Sequence, residues 1–201
     1  MRDMLRLGLI LMAMSLVCAA ALGFVNSKTE AKIALQKELA RQEAMNFVAA
    51  SLGDSLSFDS LSVAGLANPY SETGRALAPV EVLSGRTRVG YLFTAYRKGY
   101  SSVIETLVAV DMTGTIRGGS VLYQAETPGL GTRYANPAWM DRISGRDETS
   151  LIVNKDGGEV QAVTGATVSG RAIVYSVRDG IEAMRAAGLF EGAPAGGGAS
   201  S

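Results

Sequence analysis

Residues 103–123 read VIETLVAVD, then MTG, then TIRGGSVLY. Val103–Asp111 and Thr115–Tyr123 are strand candidates, and the Met112-Thr113-Gly114 turn between them ends on glycine, the spacing of an antiparallel hairpin. Toward the N-terminus, Pro79–Leu83 and Val89–Tyr96 form a second pair of strand candidates around Ser84-Gly85. Gly53–Glu72, rich in Ser, Gly, Asp and Asn, reads as loop. Toward the C-terminus, Arg133–Gly145, with Pro137 and Trp139, reads as irregular or briefly helical, and Leu151–Val153 and Glu159–Val163 are short β candidates. Ile173, Val174, Val177, Ile181 and Met184 then recur at helical spacing; that helix starts near Thr167–Ser169 and is expected to end at Gly188. The expected fold class is α+β: an antiparallel sheet and a C-terminal helix in one domain, behind an N-terminal transmembrane helix.

That N-terminal element is Leu7–Val25, LGLILMAMSLVCAAALGFV, without a charge. A helix of this length rises roughly 28 Å, about the thickness of a bilayer's hydrocarbon core. Ala19-Ala20-Ala21 resembles a signal-peptidase site, but the apolar run exceeds the roughly 7–15 residues of a signal-peptide core. Ser15-Leu16-Val17 ahead of Cys18 lacks the small residues of a lipoprotein signal. A retained single-pass anchor is the preferred reading. Arg2 and Arg6 precede the span and Lys28, Lys32, Lys37 and Arg41 follow it, so flanking charge does not set its orientation. From Asn26 to about Ala50, Ile33, Leu35, Leu39, Met45, Phe47 and Val48 alternate with Lys, Glu and Arg, which reads as a solvated helix continuing out of the membrane. The expected organisation is an anchor at 1–28, a helical linker and loop at 29–75, a folded domain at 76–190 and a disordered Gly/Ala/Ser-rich tail at 191–201.

The 201 residues carry 19 basic and 19 acidic side chains, and 47% are apolar, enough for a sizeable core. A balanced charge gives no nucleic-acid footprint. The chain has no histidine and one cysteine, Cys18. Ser-His-Asp and Cys-His catalysis, His/Cys zinc sites and iron–sulfur clusters held by this chain alone are thereby excluded, and no metal is expected. Redox chemistry on this chain would need an organic cofactor. No catalytic side chain is assigned.

Two segments could carry such chemistry. Thr164-Gly165-Ala166-Thr167-Val168-Ser169 lies between a strand candidate and a helix, and a helix start offers unpaired N–H groups and a positive dipole end to a phosphate. Taken alone, this segment is more simply an N-cap supplied by Thr or Ser. Glu126-Thr127-Pro128-Gly129-Leu130-Gly131 centres on Pro-Gly, the usual middle of a type II turn. Its two glycines allow close approach to a planar ligand, although a tight turn after a strand suffices to explain them.

Together, ETPGLG followed some thirty residues later by TGAT-x-S resembles the FMN-binding domain of RnfG, a component of the Rnf electron-transport complex. The same domain is shared with NqrC of the sodium-pumping NADH:quinone reductase. The span running into Phe24-Val25-Asn26-Ser27-Lys28-Thr29, the Lys98-Gly99-Tyr100 ahead of the hairpin, and Asn136-Pro137-Ala138-Trp139 fit the same family, to about Gly188. The resemblance implies that Thr167 carries FMN through a phosphodiester bond, installed from FAD by a separate flavin transferase. Thr164, Gly165, Ala166 and Ser169 would surround the attachment, and Glu126, Thr127, Gly129, Leu130 and Gly131 would lie beside the isoalloxazine. It further implies an electron-transfer subunit in an ion-translocating complex of the bacterial inner membrane, moving electrons between ferredoxin and NAD, with its domain outside the cytoplasm and other subunits as partners. Gln161, where the family often has an acidic residue, and Gln124-Ala125, where it often has a basic residue or histidine, depart from the pattern. NqrC is the alternative within the family, favoured less because it tends to be longer. A pilin-like structural protein and a standalone extracytoplasmic reductase are the alternatives of other classes. The first lacks the charge pilins carry early in their apolar helix. The second lacks a nicotinamide-binding glycine motif.

Overall fold

A computed structural model describes residues 2–53, 56–60, 66, 68, 70 and 75–190. The expected tail at 191–201 lies outside the described residues. Contacts divide the chain into two units, 1–42 and 43–201.

The first unit is the greater part of helix α1 (Arg2–Ala49). Every side chain from Leu7 to Val25 is exposed, and the helix is long and apolar enough to cross a membrane. A helix apolar on all sides has no core-facing stripe and suits a lipid environment.

The second unit holds one five-stranded antiparallel sheet, with β1 (Leu56–Ser60), β2 (Val80–Ser84), β3 (Thr87–Lys98), β4 (Val103–Asp111) and β5 (Ile116–Tyr123). Each strand pairs with the next in sequence, in the order β1-β2-β3-β4-β5. The hairpin read from residues 103–123 is β4–β5, closed by the Asp111 carboxylate. It accepts the N–H groups of Thr113 at 2.9 Å and Thr115 at 3.1 Å. β1 falls inside the stretch read as loop, Gly53–Glu72. Its LSFDS sequence alternates only over Leu56 and Phe58 among polar residues, too short a run to stand out from the surrounding loop residues, and as an edge strand with an exposed Phe58 it buries little.

Two clusters cover the two faces of the sheet. Beneath helix α3 (Thr167–Ala186), Tyr91, Phe93 and Ala95 of β3 and Ile104, Val108 and Val110 of β4 meet Ile173, Val174, Val177, Ile181 and Met184. Those five helical side chains, at roughly 2 kcal/mol each, contribute on the order of 10 kcal/mol before chain entropy is subtracted. On the other face, Val82, Leu92, Leu107 and Ala109 are covered by Val48 and Ala49 at the end of α1. This corrects the solvated-helix reading for the last turn of α1: Ile33, Leu35, Leu39 and Phe47 are exposed, but Val48 and Ala49 are fully buried. Central strands with two apolar faces need a second cover, and two residues are too few to show as a helical stripe.

Helix α3 ends as expected. Gly188 N–H donates to the Arg185 carbonyl and Leu189 N–H to that of Met184, the paired bonds of a glycine-terminated helix. Arg171, Arg178 and Arg185 recur every seven residues on α3 and read from sequence as a solvated face. In the structure each is ion-paired: Arg171 with Asp156, Arg178 with Asp179 and Arg185 with Glu148. The Arg171 bond, followed by that of the Tyr175 hydroxyl, pulls the Asp156 carboxyl down to about 2. The pairs of Arg171 and Arg185 tie α3 to the loops around it.

One group in the core is unmatched. The Thr106 Oγ1 on β4 is fully buried and has no hydrogen-bond partner among the described residues. A buried hydroxyl without a partner costs about 1–3 kcal/mol in desolvation. Thr106→Val is therefore expected to stabilise the protein by about 1 kcal/mol, read as a higher thermal midpoint in detergent; a lower midpoint contradicts the assignment.

Candidate functional site

Three segments distant in sequence meet beside the sheet. They are the β3–β4 turn (Gly99–Ser102), the loop after β5 (Gln124–Gly131) and the start of α3 (Thr164–Ser169). The buried Glu126 carboxylate joins them. Its Oε1 accepts the N–H groups of Ser101 and Ser102, each at 3.0 Å, and the Ser102 hydroxyl at 3.2 Å. Its Oε2 accepts the Tyr100 N–H at 3.1 Å and the Ser169 hydroxyl at 2.6 Å. Burial by itself pushes the Glu126 carboxyl up; the bonds from Ser169, Ser102, Ser101 and Tyr100 together outweigh it and hold the group below its ordinary value.

The loop after β5 forms the turn its Pro-Gly predicts. Leu130 N–H donates to the Thr127 carbonyl at 3.2 Å, and Gly129 has φ +78°, the left-handed value a type II turn requires at that position. A second turn, with Ala166 N–H donating to the Val163 carbonyl, places Gly165 at φ +83°. The two turns touch: a Cβ added to Gly165 would lie 3.2 Å from Leu130 Cδ2. Neighbouring aromatics fix the approach to this second turn. The buried Tyr134 hydroxyl accepts the Val163 N–H at 2.8 Å, and Trp139 Nε1 donates to the Gln161 carbonyl at 3.2 Å. The two rings meet edge to face at 4.5 Å, so Trp139 acts in packing. The short β candidates 151–153 and 159–163 reduce to a single parallel bridge, Val153 to Val160.

Helix α3 is not capped as its residue types suggest. Ala166 holds the N-cap position, and no side chain closes the helix start. The Ser169 hydroxyl is turned to Glu126, and the hydroxyl of the half-buried Thr167 has no hydrogen-bond partner among the described residues. The first N–H groups of α3 are thus left to whatever fills the adjoining cleft. That cleft has a volume of about 500 Å³, within the range of small-molecule sites. Among the residues singled out from sequence, Glu126, Thr127, Leu130, Gly131, Gly165, Ala166, Thr167 and Ser169 line it. Thr164 and Gly129 do not; they shape the two turns. Tyr100 and Val168 line it as well and went unassigned. Lys98-Gly99-Tyr100 was the available signal for the first, while the variable position of TGAT-x-S hid the second.

The cleft suits a flavin mononucleotide on its own chemistry. A helix start without a cap matches a phosphate, an unbonded threonine hydroxyl matches an ester link, and Leu130, Val168 and Tyr100 give an apolar surface for a planar ring.

Comparisons with known proteins cover the segment that holds this cleft. The family profile described as the FMN-binding domain matches residues 99–182, and that of the RnfG N-terminal region matches residues 1–48. The G subunit of the Na(+)-translocating ferredoxin:NAD(+) oxidoreductase complex of Acetobacterium woodii is 30% identical over 193 residues, covering 88% of this chain and 89% of that protein. The G subunit of the ion-translocating oxidoreductase complex of Photorhabdus laumondii is 44% identical over 89 residues, or 40% of this chain and 42% of that protein. The C subunit of the Na(+)-translocating NADH-quinone reductase from Parabacteroides distasonis shares the fold, with a TM-score of 0.56 over 76% of this chain and 93% of that one, at 16% identity.

Proposed function

The chain belongs to the RnfG family of the ion-translocating oxidoreductase complexes, and from that premise we propose that it is the electron-transfer subunit that holds FMN through Thr167. The observation that carries this reading is the meeting of ETPGLG and TGAT in one cleft, with Thr167 on its wall at a helix start that no side chain caps. When bound, FMN supplies one- and two-electron redox chemistry that no side chain here can perform.

The residues of the chain bind and orient. The N–H groups at the start of α3 receive the phosphate, and the Thr167 oxygen anchors it. The Thr127–Leu130 turn and Gly165 would hold the ring. Glu126 is fully occupied by its five donors and fixes these walls, so it moves no proton in turnover. Gly131 lets the loop lie against Glu126 and Ser169: a Cβ there would come within 2.4 Å of Glu126 Cβ and 3.1 Å of Ser169 Oγ.

A covalent link keeps the cofactor from being lost outside the cytoplasm, where we place the domain, with α1 as its single anchor in the inner membrane. A dedicated flavin transferase would install the group. The chain would hold and orient that group for electron transfer between ferredoxin and NAD in company with the other subunits, and would not turn over alone. We place the flavin-binding region within residues 76–190 and the anchor at 1–28. The Leu7–Val25 span has no ionisable residue of the kind that marks an ion path, which supports placing ion movement in the partner subunits.

The protein made in a host with the transferase is expected to give a fluorescent band under ultraviolet light after denaturing electrophoresis. A non-fluorescent band at full expression refutes covalent attachment.

A further inference from the structure

We propose that Tyr100 is the aromatic wall of the flavin cleft, its phenol ring lying on the isoalloxazine; this rests on the FMN reading above.

Three large apolar side chains border the cleft, one from each of its segments: Tyr100 from the β3–β4 turn, Leu130 from the loop after β5 and Val168 from the first turn of α3. Their exposures are 73%, 40% and 48%. Large apolar side chains gathered around one concave site present the surface that a ligand covers. Tyr100 is the only aromatic among the described residues that line the cleft.

Its backbone is pinned although its ring is free. Tyr100 N–H donates to Glu126 Oε2, and the turn closes through Gly99 N–H and the Ser102 carbonyl at 2.7 Å. The turn lies against the carboxylate: a Cβ at Gly99 would sit 2.8 Å from Glu126 Oε1. A ring carried on so fixed a backbone is set for contact rather than left to solvent. An electron-rich phenol on an electron-poor isoalloxazine is also a favourable aromatic pair.

The test uses the full-length, flavin-loaded protein in detergent. Flavin content is counted after denaturation, and time-resolved flavin emission and the midpoint potential are measured in the folded protein. A phenol in contact with an excited isoalloxazine quenches its emission by lending it an electron that returns; a phenyl ring does not. Tyr100→Phe is expected to brighten the emission several-fold while leaving the potential near that of the unaltered protein. Tyr100→Ala is expected to brighten it as much and to shift the potential as well. Tyr123→Ala removes an exposed tyrosine outside the cleft and is expected to change neither. Unchanged emission in Tyr100→Ala at full flavin loading overturns the role of Tyr100 and leaves the FMN reading intact. Unaltered protein that carries no flavin overturns the FMN reading itself.

Discussion

Thr167→Ala is expected to lose the cofactor entirely while keeping the fold. Intact mass of the purified variant should lack one FMN, and its gel band should be dark. The geometry singles out this hydroxyl among four nearby. The Ser169 hydroxyl is buried and already donates to Glu126 at 2.6 Å. Thr164 shapes a turn and does not line the cleft, and Thr127 lines it from the loop after β5, not from the start of α3. Thr167 alone combines the first position of α3, a place on the cleft wall and an oxygen without a partner among the described residues. The same facts make the substitution mild for stability. Because Ala166 is the N-cap, the Thr167 hydroxyl closes no capping bond, so its removal costs about 0.5 kcal/mol or less, as at other lightly engaged positions. A variant mass still raised by one FMN would move the attachment to another hydroxyl.

Glu126→Gln is expected to destabilise the protein by about 3 kcal/mol and to lower flavin content even with Thr167 intact. An amide has one accepting oxygen where the carboxylate has two. The Ser102 and Ser169 hydroxyls can reverse and accept, but the N–H groups of Tyr100, Ser101 and Ser102 cannot. With the amide oxygen at the Oε1 position, the Tyr100 N–H faces an NH₂ group and is left unpaired, at about 1–3 kcal/mol. Loss of charge-assisted bonding supplies the rest. Glu126→Ala removes every acceptor and is expected to cost more.

The pH dependence tests the same carboxylate. Its folded-state value is held below the ordinary one, so its stabilisation is complete above about pH 4.3. That stabilisation drains away as pH falls through the folded value. The gap in urea midpoint between the unaltered protein and Glu126→Gln should therefore be widest near neutrality and narrow progressively as the pH falls below about 4.3. A gap that stays constant across that range would show that Glu126 is not the group that titrates.

What could be read from the sequence had a short-range cause. The β4–β5 hairpin, the amphipathic α3 and the uncharged Leu7–Val25 run each repeat a local pattern, and each stands in the structure where the pattern put it. The pairing of ETPGLG with TGAT was legible only through family resemblance, and the structure supplies its physical content in the contact between Leu130 and Gly165. What could not be read depends on partners far along the chain. The anchoring role of Glu126 could not be read, because nothing local marks an acceptor whose donors lie 24–26 and 43 residues away. The ion pairs of Arg171, Arg178 and Arg185 were hidden by a spacing that equally suits a solvated face. β1 was hidden by its polarity.

The shared anchor at Glu126 also bears on speed. Electron exchange is slowed by whatever nuclear rearrangement must accompany the moving charge. Walls fastened to one buried carboxylate cannot relax separately, and dipoles fixed in advance need little reorientation when a charge arrives. A cradle built in this way favours a relay with a small reorganisation energy, one whose rate is set by the distance to its neighbours more than by its own motion.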